Sequence, residues 1–389
     1  MSNTTTTRTY NSLGAIMQET LGTGLTFCNV YDNAGHRKQL QLPDRSEISY
    51  LYQGIFLYQI TRGENTFTYK ARDLEGCSLE LELPACLGTI TMTRDPLSRV
   101  ATLASPVYKS RFPQDAYDAI GNLLHYTYED PLGEVTCIYT YDQLNQILSE
   151  NEHTYRFDSL YNRLEKDQAP HTINTLSQIL HDGDTAYAYD LDGNLIFDGK
   201  WHYTYDTQDR LIGLECEKAR IEYTYDPFHR RLSKTVFLNN EQLHQQRYLW
   251  DGDNEIGSVD ENGTIIQFRV LGEGFGAEIG AAVLYELEGK TYVPIHNHKG
   301  DLVVLMDVKT QTPVEIYRYT VFGEELTSAS ISPWRFCSKR IEEERGLVFF
   351  GRRYYLPTLG RWITKNPRGF DEGPNLYAYL GNCPFNFHF

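Results

Sequence analysis

The sequence predicts an all-β fold: stacked β-hairpins forming a curved spiral sheet, closed by a C-terminal core segment. Three observations predict it. From Thr26 onward a short unit recurs, made of an aromatic residue, an acid, a few turn residues, an Arg or Asn, and an aliphatic residue. Before the acid, the chain alternates with the period of two that marks a strand, as in Tyr203-Thr204-Tyr205 and Tyr223-Thr224-Tyr225. Near the C-terminus, aromatic strands flank a Pro357-Thr358-Leu359-Gly360 reversal.

The recurring unit begins with Tyr31-Asp32 and a variant at Arg94-Asp95. It continues through Tyr117-Asp118, Tyr141-Asp142 and the degenerate Phe157-Asp158, and closes with Tyr189-Asp190, Tyr205-Asp206 and Tyr225-Asp226. The acid stands at a strand end, where its carboxylate accepts backbone N–H bonds from residues further on. The Arg or Asn opens the returning strand and the aliphatic residue resumes burial. Each unit is therefore a hairpin corner. An isolated hairpin is marginal in water, whereas stacked hairpins bury continuous aromatic ladders, so stability becomes a sum over neighbours. The 29 tyrosines fit sheets whose rings cover one face while their hydroxyls stay wet.

Three regions follow. Residues 1–24 are polar and Thr-rich, with a helical turn or two expected over Ser12–Leu21; residues 25–245 hold the repeat array; residues 246–389 hold variant units and the core segment. An open spiral leaves an unpaired strand edge near Tyr31, which invites self-association or a completing partner.

Composition excludes several classes. A formal charge of −16 repels phosphate, so no nucleic-acid partner is expected. The start, MSNTTTTRTY, lacks the basic and apolar regions of a signal peptide, and no apolar run reaches a membrane-spanning length, so membrane insertion is not expected. This points to a cytoplasmic location before any export, and to export by a route independent of a signal peptide. Seven scattered cysteines without C-x-x-C argue against zinc and a disulfide framework, and for mostly buried free thiols.

Other candidate motifs carry little chemistry. His296-Asn297-His298 is contiguous, unlike the dispersed ligands of a nuclease metal motif, and no third ligand is evident; it reads as polar residues entering a turn, with no metal. The Gly272–Gly276 stretch lacks the Lys-Ser/Thr of a phosphate loop, and Glu273 and Glu278 repel phosphate. The repeat acids Asp32, Asp118, Asp142, Asp190, Asp206 and Asp226 are spaced as turn caps, not as a converging catalytic pair. No cofactor site is expected.

The C-terminal block carries a more specific signal. Gly346-Leu347, Phe349-Phe350-Gly351, Arg353-Tyr354-Tyr355, Pro357, Gly360-Arg361-Trp362, Asn366-Pro367-Arg368-Gly369, Asn375-Leu376-Tyr377-Ala378-Tyr379 and Asn382-Cys383-Pro384 follow one another in order. This block resembles the core segment of the Rhs family of YD-repeat proteins. Tyr317-Arg318-Tyr319-Thr320 is similar to that family's last repeat, with Thr320 in the usual place of Asp. The resemblance implies the wall of a hollow shell that encloses a toxic C-terminal domain, with the core segment as its plug. It also implies aspartyl self-cleavage, in which two carboxylates share a proton. At the corresponding positions this chain has Asn366 and Phe389, neither of which exchanges a proton near neutral pH, so self-cleavage is expected to be lost and the chain to be no enzyme. The chain ends where the family's toxin would begin, so the resemblance implies part of a shell that holds or delivers a toxin cargo, or completes a shell with another chain. Two other classes stay open: a carbohydrate- or receptor-binding module, as in teneurins, and an active self-processing protease.

Overall fold

A computed structural model describes residues 5–274 and 278–385. It is all-β, as the sequence predicts. Among the described residues there are thirty-six strands, numbered in chain order, three single-turn 3₁₀ segments and no α-helix. From β1 (Thr7–Tyr10) to β19 (Thr185–Ala186) each strand pairs antiparallel with the next, and the same holds from β20 (Ala188–Tyr189) to β32 (Thr312–Ile316). Only Tyr187 separates the two runs, and its N–H still bonds the Leu180 carbonyl on the neighbouring strand. The chain is thus one long ribbon of hairpins. It is not closed into a barrel.

The corner that builds the ribbon has a single geometry. At Asp142 the N–H bonds the Gln146 carbonyl, and the Asp142 carbonyl accepts from Asn145 N–H. Its Oδ1 accepts from the N–H groups of Leu144 and Gln146, and its Oδ2 from the Gln146 side chain. The residue three past the acid turns left-handed: Asn145 has φ 63° and Gly121, at the equivalent place, 96°. That requirement favours the Gly or Asn at several corners, although Ser98, Tyr161, Asp209 and His229 take the same conformation at others. The same arrangement of carboxylate bonds recurs at Asp32, Asp95, Asp118, Asp158, Asp206, Asp226 and Asp260. Asp190 accepts from Asn194 through both its backbone and its side chain. One residue past the corners at Asp118, Asp142, Asp190 and Asp206 an aliphatic side chain is buried: Leu123, Ile147, Leu195 and Leu211 are all 2% exposed or less.

The tyrosine before the acid links one corner to the preceding one. Tyr141 Oη donates to the Leu123 carbonyl at 2.6 Å, Tyr205 to Leu195 at 2.9 Å and Tyr225 to Leu211 at 2.7 Å. Each ring packs inward and each hydroxyl reaches the start of the previous returning strand. Many tyrosine hydroxyls are therefore not wet; those of Tyr155, Tyr248, Tyr285 and Tyr319 are buried.

Two expectations are corrected here. Ser12–Leu21 is not helical. Asn11 caps a corner by accepting from Leu13 and Ala15 N–H, and β2 (Ile16–Thr20) returns along β1. The corner went unrecognised because Asn stands where the other units have Asp; Asn174 does the same. The strand ending at Tyr31 is no edge, since β3 (Thr26–Tyr31) pairs on both sides; among the described residues the edge is β1, which pairs with β2 alone. Among the described residues no disulfide joins the cysteines; Cys137, Cys337 and Cys383 are buried, Cys86 is exposed and the others lie between.

The ribbon rolls over itself. Polar contacts join distant strands in parallel order: Glu19 to Arg230, Arg37 to Asp251, Arg62 to Glu286 and Gln311 to the Ala85 carbonyl. The separations are 211, 214, 224 and 226 residues, nearly constant, as one turn of a spiral requires. Between the layers lies the main core, where Phe27, Leu40, Ile60 and Phe67 join Leu249, Val259, Phe268 and Val293. Strands β27 (Asn254–Val259) and β31 (Leu302–Asp307) are accordingly buried on both faces.

The corners differ in burial, and so in what they contribute. Asp226 is wholly buried with Arg230, which also holds Glu19. Asp226→Ala leaves that guanidinium and two N–H groups short of an acceptor, at a cost of about 3 kcal/mol. Asp260→Ala, at an exposed corner, has a much smaller effect. Urea denaturation of both variants checks the order.

Candidate functional site

The core segment folds as a small sheet inside the rolled ribbon. Its strands are β33 (Arg340–Glu342), β34 (Leu347–Phe349), β35 (Tyr354–Leu356) and β36 (Arg361–Trp362), joined in sequence. Their short aromatic runs bury nearly every side chain. Phe336, Tyr355, Trp362 and Tyr379 pack ring on ring at their centre.

This sheet is fastened to successive corners of the ribbon. Asn382 donates to the Gln146 side chain and to the Tyr161 carbonyl, both at 2.9 Å. Asn375 donates to Asn162 at 2.8 Å. Arg361 bonds the Ser177 carbonyl, and Gln178 donates to Tyr377, whose hydroxyl donates to the Gly193 carbonyl at 2.7 Å. Tyr354 Oη meets Tyr225 Oη at 3.1 Å and accepts from Arg231 at 3.0 Å. Gln146, Asn162 and Gln178 stand four residues after their cap, and Arg231 five after Asp226. The motif residues of the core segment therefore read the corners one by one.

Gly360 shows how close the approach is. It has φ 63°, and a Cβ there would lie 2.6 Å from the Arg163 guanidinium, which donates to the Thr358 carbonyl at 2.7 Å. Pro357–Gly360 thus forms the turn that Arg163 grips. Gly351 is also left-handed, at φ 89°. Tyr355 donates to the Phe322 carbonyl at 2.7 Å.

Charge is buried along the same seam. Glu342 takes Arg231 at 2.5 Å and Lys234 at 2.8 Å, and Tyr223 donates to it at 3.1 Å. Burial alone would push its carboxyl up; Arg231 and Lys234 outweigh burial and hold it down at about 2. Arg340 pairs with Glu255, which also accepts from Trp334. Arg353 has no such partner. It lies over the Trp362 ring at 4.0 Å, and burial lowers it to about 10.

One cavity adjoins the segment and a second lies at the last repeat. One, of about 1030 Å³, lies between the corners at Tyr161 and His229 and the core residues Arg353, Trp362 and Asn366. The other, a chamber of about 630 Å³, is lined by Tyr108, Tyr126, Tyr128, Tyr139, Glu150, Lys299 and Asp301. Asn297 caps the corner beside it, accepting from Lys299 and Asp301 N–H. His298 sits edge-on to Phe112 and Tyr126, and burial lowers it to about 3; burial lowers His296 to about 4.

Asn366 lines the larger cavity. Its side chain donates to Glu372 at 2.8 Å and accepts from Arg368 N–H. Asp371 is an exposed side chain beside Arg368. Phe389, and Phe275 and Gly276 of the glycine-rich stretch, lie outside the described residues. Among the described residues the one group of three clustered ligand-type side chains is Asp73, Glu75 and Cys77, which the sequence reading did not single out. Asp73 is already occupied as a corner cap for Glu75 and Cys77 N–H.

Known proteins share this architecture. A family model described as Teneurin YD-shell matches residues 86–250. The tRNA3(Ser)-specific nuclease WapA of Bacillus spizizenii is 28% identical over 179 residues, 43% of this chain and 7% of its own. Toxin protein Tse5 of Pseudomonas aeruginosa is 29% identical over 193 residues, 42% of this chain and 14% of its own. The crystal structure of TcdB2-TccC3 without its hypervariable C-terminal region superimposes with a TM-score of 0.63 at 18% identity, covering 98% of this chain and 21% of that one. These matches support an Rhs-type YD-repeat protein. The chain spans about a fifth or less of the length of these relatives. The Tyr-Asp corners are its YD repeats, and the ribbon with its docked segment has the shell fold.

The chamber makes this YD-repeat protein pH-sensitive. Glu150 accepts the Val321 N–H at 2.7 Å, fastening the last repeat to the wall. Burial raises its carboxyl from 4.5 to about 7. A group raised on folding stabilises fully below its unfolded value and loses that contribution as pH rises through its folded value. The Glu150 contribution to stability therefore falls by about 2–3 kcal/mol between pH 4.5 and about 7, against the opposing rise that the buried, neutral His296 and His298 give over the same range. Glu150→Gln keeps an acceptor for Val321 and removes this falling contribution alone, so the difference between the urea midpoints of the two chains shrinks or changes sign as pH rises from 4.5 to 7.

Proposed function

We propose that this chain is a wall-and-seal segment of a toxin-delivery shell, and that it does not cut itself. The observation that carries the reading is the corner-by-corner fastening of the core segment to the inner side of the ribbon, from Gln146 to Arg231. A segment held by so many separate corners closes the roll and positions whatever lies inside against a fixed wall. The relatives support the setting: several are toxins or toxin subunits, including Toxin subunit YenC1 of Yersinia entomophaga, 26% identical over 183 residues. The partner under this reading is a toxin cargo or another shell chain, with no cofactor. Among the described residues no helix is long and apolar enough to cross a membrane.

Loss of self-cleavage follows from chemistry at one described position. An aspartyl dyad needs a carboxylate that can share a proton. Asn366 offers an amide, already bonded to Glu372. The test is the intact mass of the purified chain after long incubation. It is run beside an Asn366→Asp, Phe389→Asp chain extended by a short tail. The native chain is expected to stay whole while the restored chain sheds its tail. Trimming of the native chain near its C-terminal end would overturn the reading and make it a self-processing protease.

A further inference from the structure

The chamber at the last repeat contains a charge that the wall-and-seal reading does not use. Glu150 is 6% exposed and lines it. Its Oε2 accepts the Val321 N–H, and its Oε1 takes no hydrogen bond among the described residues. The other buried charges of the lining are answered. Asp301 accepts from the Asn297 side chain at 2.9 Å and from the Cys337 N–H at 2.8 Å, and Lys299 stands 3.6 Å away. Lys299 also donates to the Val321 carbonyl at 3.3 Å and lies over the Phe336 and Phe385 rings. Less buried members pair elsewhere, Arg318 with Asp130 and His153 with Asp167. Among the described residues no cation stands within ion-pair distance of Glu150.

The lining fits one kind of cation. Tyr126 stacks on Tyr128 at 6.0 Å and on Tyr139 at 6.4 Å, so these rings turn their faces to one another and leave their hydroxyl ends for a ligand. Burial chiefly, and in part the Glu150 charge, raise the Tyr128 and Tyr139 hydroxyls, which puts both near the carboxylate. A quaternary ammonium needs ring faces, whereas a primary ammonium brings three donors for oxygen acceptors. A metal ion needs several ligands together, and among the described residues no group of three ligand-type side chains includes Glu150. An anion would add to the unanswered charge. The volume of about 630 Å³ leaves room for an alkyl stem, and the exposed lining residues Asn151, Glu152 and Leu326 mark where it enters. Glu152 there, on a chain of net charge −16, draws cations in.

We propose that this chamber binds a primary alkylammonium group, whose N–H donors go to Glu150 Oε1 and to the Tyr128 and Tyr139 hydroxyls. The ligand supplies the counter-charge that the buried carboxylate lacks, in surroundings where a charge-assisted hydrogen bond is stronger than in water. A free alkylamine and a lysine side chain present the same group; in the second case the lysine belongs to a cargo or to another shell chain. The site does not include Asn366, so the inference stands or falls apart from the wall-and-seal reading.

Isothermal titration calorimetry of the full chain with n-butylammonium chloride tests this, at a pH above the Glu150 value of about 7. One equivalent binds, with a Kd of about 1 mM or below. Tetramethylammonium, which has the charge without the donors, binds at least about 10-fold more weakly. Glu150→Gln weakens n-butylammonium binding about 10-fold or more, and the combined Tyr128→Phe, Tyr139→Phe variant, which keeps the rings, weakens it about 5-fold. Should Glu150→Gln misfold by circular dichroism, the tyrosine variant carries the test. A capped Gly-Gly-Lys-Gly-Gly peptide that binds as tightly as the amine upholds the site and assigns it to a lysine of another chain; one that binds more weakly upholds it as a site for a free amine. Absence of saturable n-butylammonium binding overturns the inference. So does equal binding of tetramethylammonium, or binding unchanged in the folded variants.

Discussion

The structure rests on the bond from a tyrosine hydroxyl to the first carbonyl past the preceding corner. Without it each Tyr-Asp corner would be a well-capped but independent turn. With it, Tyr141 is tied to Leu123 and Tyr225 to Leu211, so the position of each corner is inherited from the one before. The acid holds the turn and the tyrosine sets the step between turns. Together they make a ribbon whose curvature is built from a local rule, which is how a chain with few long-range covalent constraints attains a nearly constant separation of about two hundred residues between overlying layers.

That regularity is what the core segment exploits. Its polar residues do not seek one pocket; they take the side chain or carbonyl that each corner presents on its inner side. Gln146, Asn162 and Gln178 bond their own caps or strands and still have capacity for Asn382, Asn375 and Tyr377. An amide at the fourth position past the cap serves both purposes, because it has donors and an acceptor to divide between two partners. Arginine at that position does otherwise. Arg210 and Arg230 grip their own Asp and then reach the next corner's Asp226 carbonyl or the first layer's Glu19, which suits the stretch where ribbon meets ribbon.

How much of this was legible in the sequence depended on whether a rule was local. The corner is local, so strand, acid, left-handed residue and returning aliphatic could be read directly from Tyr-Asp units. Where the cap is Asn, as at Asn11 and Asn174, the same geometry was hidden, because Asn is common in loops of every kind. The core block was legible as a motif, but its purpose was not. That Asn382 meets Gln146 and Tyr377 meets Gly193 depends on how the ribbon rolls, which no spacing records. The elevated carboxyl of Glu150 was equally invisible, since burial in a chamber formed by distant segments is what raises it.

Buried charge decides how firmly the core segment must be placed. Burial alone would lower Arg231, but Glu342 and the tyrosines around it outweigh burial and hold it well above its ordinary value. Among the described residues Arg163 and Arg361 have no carboxylate within ion-pair distance, and burial lowers both. They rely on backbone carbonyls and ring faces, Arg163 on Thr358 and Phe322, Arg361 on Ser177 and Tyr377. A guanidinium taken out of water is tolerated only while every such contact is in place. A core segment shifted by one corner would bury both cations against the wrong groups, a cost of several kcal/mol with nothing to offset it. The two unpaired arginines therefore contribute less to stability than to register: they make the seal fit in one position or not at all.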